Sequence, residues 1–139
     1  RKSAEQGNAI GQNWLGDAYR DGRGVSQDYA KAVEWYRKAA EQGYVYAQYY
    51  LGRMYRDGSG VSQDYAKAVE WYRKSAEQGY TDAQYELGYM YHNGIGVSKD
   101  YAKAAEWYRK AAKKGYVRAR KVLFSPKFIF KTFITHIFN

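Results

Sequence analysis

Catalysis needs nucleophiles, acids, bases or metal ligands within reach of one another, and this chain offers few. It has no cysteine and two histidines, His92 and His136, far apart in sequence. A thiolate or polyhistidine metal site, a cysteine nucleophile and a disulfide framework are thereby excluded. A lone His92 reads as an ordinary exposed side chain, and no Ser–His–Asp spacing is present. Asp57 and Asp64 flank the loop Gly58-Ser59-Gly60-Val61, which lacks the alternating oxygen ligands of a calcium loop. The same glycines follow a helical pattern and lack the Lys-Ser/Thr of a phosphate cradle. Trp35, Trp71 and Trp107 recur at one repeat position; such a stripe is core more often than a stacking platform. No cofactor and no enzymatic activity follow from these residues.

What remains is recognition chemistry. The chain holds 17 tyrosines, rings with an apolar body and a polar tip that suit half-buried surfaces. Its net charge of +9 is unevenly placed. Residues 1–98 carry 12 Lys/Arg and 12 Asp/Glu, whereas residues 99–139 carry 11 Lys/Arg against Asp100 and Glu106 alone. Lys110, Lys113, Lys114, Arg118, Arg120 and Lys121 therefore form a terminal basic cluster rather than a stripe along the molecule. Binding of nucleic acid or another acidic surface at this end is the alternative reading of function; a solvated basic face is the plainer one. No run of about 18 apolar residues exists that could span a membrane.

These side chains sit on a repeat. Gly60 to Lys74 recurs unchanged as Gly24 to Lys38, and again as Gly96 to Lys110 with only Lys99 and Ala105 altered, a 36-residue period. Such a period means an array of stacked units rather than one globular core. The full units are 8–43, 44–79 and 80–115; residues 1–7 match the end of a preceding unit, and 116–139 combine a partial unit with a divergent tail. Because Arg1 to Gly7 equals Arg73 to Gly79, the sequence reads as starting inside a repeat, and any targeting segment would lie outside it.

Each unit predicts two helices. In the second unit, Ala47, Leu51, Met54 and Tyr55 give the first helix, from Tyr44 to about Asp57, one apolar face. Gly58 takes the C-terminal left-handed position, and the loop serves as a tight reversal. Asp64 caps the second helix, Tyr65 to about Gln78, whose inner face is Tyr65, Ala68, Val69, Tyr72 and Ala76. Gly16, Gly52 and Gly88 fall mid-helix, at a cost of roughly 1 kcal/mol each against alanine. A close approach beneath a ring, Trp71 or Tyr72 in the second unit, explains them.

The pattern from Ala47 to Gly79, Ala-x3-Leu-Gly-x2-Tyr-x2-Gly-x-Gly-Val-x2-Asp-x2-Lys-Ala-x2-Trp-x2-Lys-Ser-Ala-x2-Gly, resembles the Sel1-like repeat, a relative of the tetratricopeptide repeat. The likeness extends over residues 1–123. It implies an all-α, right-handed α/α superhelical solenoid of antiparallel helix pairs, with first helices on the concave side. It also implies work as a protein–protein scaffold, often in bacterial envelope, secretion or host-interaction settings, and hence a periplasmic or secreted location. Gly11 stands where the pattern has its first Ala, and Phe124 where it has Gly. Some relatives carry cysteine pairs, and a few of those are linked to β-lactam binding; a chain without cysteine inherits neither.

Comparing the units with each other points to a site. They agree in the loop and second helix and disagree mainly on the first helix, at Ile10/Tyr46/Asp82, Asn13/Tyr49/Tyr85, Asp17/Arg53/Tyr89, Arg20/Arg56/His92 and Asp21/Asp57/Asn93. Those offsets mark one helix face, opposite the constant Leu51, Gly52 and Tyr55. A constant skeleton with a variable lining is what a groove for a peptide or protein segment of some acidic character requires. Drift of exposed positions is the competing explanation, set against the exposed Lys67, Glu70, Arg73 and Lys74 of the second helix, which hardly vary. Trp14 aligns with Tyr50 and Glu86 and needs a preceding unit to cover it. All five phenylalanines and the single proline lie in the tail. Ser125 and Pro126 start a helix there, and Phe130, Phe133, Ile134, Ile137 and Phe138 form its apolar stripe. This stripe reads as a cap over the end of the stack, as a sticky irregular segment, or as a surface for homo-oligomerisation.

Overall fold

The computed structural model describes residues 1–138, and the described residues contain helices and no strand. Asn139, the last residue of the unit 116–139, lies outside them. After the short α1 (Lys2–Glu5) come three pairs, α2 (Ala9–Asp21) with α3 (Tyr29–Glu41), α4 (Val45–Asp57) with α5 (Tyr65–Glu77), and α6 (Thr81–Asn93) with α7 (Tyr101–Lys113). Each second helix also packs on the first helix of the next unit, α3 on α4 and α5 on α6. The chain is thus a solenoid in which each unit packs chiefly on its neighbours.

The helix ends follow from single residues. Asp28, Asp64 and Asp100 each accept a hydrogen bond from the backbone N–H three residues on, at 3.0–3.1 Å. Such a cap is worth about 1 kcal/mol. Gly58 ends α4 at φ 67°, and Gln63 Nε2 donates to the Arg56 carbonyl at 2.8 Å, satisfying a group the helix leaves free.

Tyr36, Tyr72 and Tyr108 are the large rings at the centre of each pair, all fully buried. A Cβ on Gly52 would lie 2.8 Å from Tyr72 Cδ1, so the mid-helix glycine exists to admit that ring, and Trp71 is not involved. The repeated tryptophans pack against the core at its rim instead of filling its centre. Trp35, Trp71 and Trp107 lie half-buried at the outside, with the ammonium groups of Lys38, Lys74 and Lys110 4.4, 4.7 and 4.3 Å from their ring centroids. A ring as large as tryptophan fits the rim of a tight two-helix layer better than its centre. The constancy of the second helix's outer face has a packing cause too: Lys67 covers the Tyr55 ring, and Arg73 donates to the Tyr91 hydroxyl of the next unit at 2.6 Å. Tyr65, expected on the inner face, is instead exposed.

The loop does more than reverse the chain. A Cβ on Gly60 would lie 2.3 Å from the Tyr29 carbonyl carbon, so this loop seats directly on the backbone of the preceding unit. Glutamines tie the units together as well. Gln42 Nε2 donates to the Gly7 carbonyl and to Gln12 Oε1, and Gln78 Nε2 does the same to Gly43 and Gln48, at 2.7–2.9 Å. The third unit has Lys114 there. Its ammonium reaches the Gly79 carbonyl, and buried Gln84 Oε1 has no partner among the described residues. At the other end of the stack Trp14 is 73% exposed.

The fourth unit breaks. Its first helix, α8 (Val117–Leu123), ends where the other units run on for another turn and a half. Pro126 disfavours a helical Ser125 and supplies no N–H. Ser125 Oγ then accepts from the Phe128 N–H at 3.3 Å, and α9 (Pro126–Phe138) begins with proline as its first residue. The stripe expected to cover the stack lies mostly outward: Phe130, Phe133, Ile137 and Phe138 are exposed, Ile134 is half-buried, and Phe128 makes the contact with α7. Phe128 lies on the side of α9 opposite that stripe, and its ring meets His92, Tyr108 and Tyr101 at 4.9, 5.6 and 6.4 Å.

Candidate functional site

The variable face of the first helices divides by depth. Asn13, Tyr49 and Tyr85, which share one repeat position, are buried. They form the floor, because this position faces the second helix: Tyr49 packs on Tyr72 at 5.8 Å and Tyr85 on Tyr108 at 5.5 Å. Burial, and after it the Glu86 carboxylate, pushes the Tyr49 hydroxyl up to about 12. Tyr46, Arg53 and Tyr89 are exposed. Tyr46 and Asp82 meet around Tyr80, whose hydroxyl donates to Asp82 Oδ2 at 3.1 Å and whose ring stands 5.2 Å from that of Tyr46.

Arg56, Asp57, Tyr85 and Tyr89 come together where the second and third units meet. With Glu86, Tyr65 and Arg118 they line a cleft of about 550 Å3. Arg56 pairs with Asp57 at 2.9 Å and with Glu86 at 3.2 Å. Burial raises the Glu86 carboxyl above its ordinary range, and Arg56, Arg118 and Arg53 oppose that rise. The Arg118 guanidinium lies 4.8 Å from the Tyr85 ring centroid, and Arg53 lies 5.9 Å from that of Tyr49. Buried beside these groups, the Tyr72 hydroxyl has no hydrogen-bond partner among the described residues. Burial and then the Glu86 carboxylate raise it well above the usual phenol range.

The equivalent junction between the first two units is smaller, about 370 Å3, and is lined by Arg20, Tyr29, Tyr50, Arg53, Met54, Asp57 and Ser59. Here the Tyr36 hydroxyl donates to Asp17 at 2.6 Å, and Arg20 pairs with both Asp17 and Asp21. Asp17 and Arg20 thus complete one another. His92 stands apart from both clefts, half-buried against the tail, with Nδ1 3.2 Å from the Tyr108 hydroxyl. Burial, with Lys131 and Lys99 behind it, lowers its affinity for a proton. Among the described residues no three His, Asp or Glu side chains gather as a metal cluster would.

Glu86 is the residue that sequence reasoning missed. Its position differs between units as Trp14, Tyr50 and Glu86, and it lies four residues after the variable Asp82, on the same helix face. The search for lining residues could have included it on that ground. Arg118, read from the sequence as part of the terminal basic cluster, joins this cleft instead.

A family model described as Sel1 repeat matches residues 9–44, 45–80 and 81–116. No curated protein matches the chain. Among solved structures, c5321, a protective antigen of uropathogenic Escherichia coli displaying an SLR fold, is 49% identical with a TM-score of 0.85, over 86% of this chain and 26% of its own. A Sel1 repeat protein from Oxalobacter formigenes is 44% identical with a TM-score of 0.83, over 85% of this chain and 49% of its own. The cysteine rich protein B of Helicobacter pylori is 27% identical with a TM-score of 0.70, over 88% of this chain and 93% of its own. The chain thus spans a quarter to a half of the length of the first two. The all-α architecture of 36-residue helix pairs expected from the sequence is borne out by the helices of this chain and by its likeness to these repeat proteins.

Proposed function

This chain belongs to the Sel1 repeat family, and from that premise we propose that its first-helix face holds a peptide or protein segment carrying acidic side chains. Proteins of this family are in general scaffolds for protein–protein contact and in general not catalysts. The cleft at the second and third units carries the reading, for Arg56 and Arg118 line it beside the Tyr65, Tyr85 and Tyr89 rings, with Arg53 near Glu86. Tyrosine and arginine are the side chains that dominate interface energetics. A partner carboxylate seated there meets the guanidinium groups of Arg56 and Arg118, which can donate charge-assisted hydrogen bonds to it.

Tyr49 is unsuited to testing this because its truncation would loosen the floor. The exposed Arg53 and Tyr89 serve better. An array of acidic, neutral and basic 12-residue peptides should retain the chain on its acidic members. Arg53→Ala with Tyr89→Ala should weaken retention about tenfold, the effect of losing one charged interface contact, with no fall in Tm. Retention independent of peptide charge, or unchanged in the double variant, would defeat the reading.

A further inference from the structure

Helix α9 carries an apolar face that the solenoid does not use. It is held to α7 by Phe128, which is 3% exposed. On its opposite side Phe130, Phe133 and Ile137 follow at i, i+3 and i+7 and are 64%, 57% and 53% exposed. The hydroxyls of Thr132 and Thr135 turn back to carbonyls of their own helix at 2.9 Å, so they lay little claim to water.

The end of the sequence carries charge of one sign. From Arg109 onward the sequence holds nine Lys/Arg and no Asp/Glu. The two carboxylates just before, Asp100 and Glu106, line the cleft between α7 and α9, and Asp100 is engaged as the cap of α7. An outward stripe of Phe and Ile on a helix that contains Lys127 and Lys131 and follows Arg120 and Lys121 in sequence, with no Asp/Glu after Glu106, is the composition of a helix that lies in a membrane interface. Crossing a bilayer takes about 20 apolar residues in one helix. Among the described residues no helix is long and apolar enough to do so.

We propose that α9 is an interfacial anchor that lays this chain on an anionic lipid surface. Charge complementarity selects that occupant. A second copy would cover the stripe but set a second group of cations against the first. A nucleic acid would neutralise the cations and leave Ile137 and its neighbours in water. Acidic headgroups above an acyl layer satisfy both at once. The anchor is independent of the first-helix cleft.

The test is flotation of the full chain with vesicles of phosphatidylcholine and phosphatidylserine, compared with phosphatidylcholine alone. The chain should float with the anionic vesicles, weakly with neutral ones, and less as salt rises. Phe130→Ser/Phe133→Ser/Ile137→Ser should reduce binding at least about tenfold, as should Arg120→Glu/Lys121→Glu. All five positions are exposed, and an unchanged circular-dichroism melt confirms that the variants fold. Arg53→Ala should float like the parent. Equal binding to neutral and anionic vesicles, or full binding by the triple Ser variant, would overturn the proposal. So would a dimer that the triple Ser variant abolishes in a chain that ignores vesicles, or DNA binding unaffected by the triple variant in such a chain.

Discussion

The junction between the first and second units and the junction between the second and third share a backbone plan and differ in what fills them. In the first, Tyr50 stacks on Tyr36 at 5.4 Å, the Arg20 guanidinium lies 4.7 Å from the Tyr50 ring centroid, and Asp17 accepts from the Tyr36 hydroxyl. In the second, Glu86 replaces that stacking ring, Arg53 replaces Asp17, and the cleft is larger by about half. Two substitutions, one on α4 and one on α6, thus convert a self-completed junction into an open, charged one. The third junction is closed in yet another way, by Phe128 from the tail against His92. Repeat arrays can vary function in this manner because each unit's skeleton is stabilised by contacts that the lining does not touch.

The largest effect separating the first two junctions should come from their mid-helix glycines. A Cβ on Gly16 would lie 2.6 Å from Tyr36, a ring pinned by Tyr50 and Asp17; on Gly52 it would lie 2.8 Å from Tyr72, which lacks both restraints. Overpacking costs about 1–3 kcal/mol, and alanine returns about 1 kcal/mol of helix propensity. Gly16→Ala should therefore destabilise by about 2 kcal/mol and Gly52→Ala by about 1 kcal/mol in urea unfolding. Equal losses would mean that the two rings are equally held.

Next comes the tyrosine acceptor. Asp17→Ala should cost about 1–3 kcal/mol by stranding the Tyr36 hydroxyl, whereas Arg53→Asp should return about 1 kcal/mol by giving Tyr72 an acceptor. Arg53→Asp should also abolish retention on acidic peptides. If Asp17→Ala is neutral in a thermal melt, the contrast between the junctions does not lie in that hydrogen bond.

The glutamine ties provide a smaller test. Lys114→Gln should raise stability by about 1 kcal/mol, since the new amide can reach both the Gly79 carbonyl and the unpaired Gln84 Oε1. No gain would mean that the tie matters little at the end of the stack.

The smallest effect belongs to the tail junction and to pH. Burial holds His92 below 6.5, so the unfolded chain binds that proton more readily than the folded one. This contribution to stability is complete above about 6.5 and declines as pH falls toward the folded-state value. Tm should fall slightly between pH 7.5 and 5.5 in the parent chain and stay level in His92→Gln. A parallel fall in both would place the titration elsewhere.

Much of this architecture was legible in the amino-acid sequence. The 36-residue period, the Asp64 cap, the Gly58 terminus and the apolar face of Ala47, Leu51, Met54 and Tyr55 are local features, and local geometry decides them. The resemblance to Sel1 repeats rested on the same residues. Sequence comparison between units also found the variable helix face. Spacing alone could not rank the depth of positions within that face, because both exposed Tyr46 and buried Tyr49 lie on it. Depth depends on how far the facing helix reaches, which is a property of two elements and not of one.

Only the tertiary structure decided which groups complete one another. Tyr36 and Asp17 are 19 positions apart and Arg56 and Glu86 are 30 apart, so nothing in either local segment announces the pair. It also decided that tyrosine and not tryptophan fills the centre of each pair, and that the tail holds on through Phe128 while its apolar stripe faces outward. The sequence by itself determined helices, caps and period, because those follow from energies within one turn of chain. Pairing and orientation follow from which surfaces meet, and only the stacking of units brings those surfaces together.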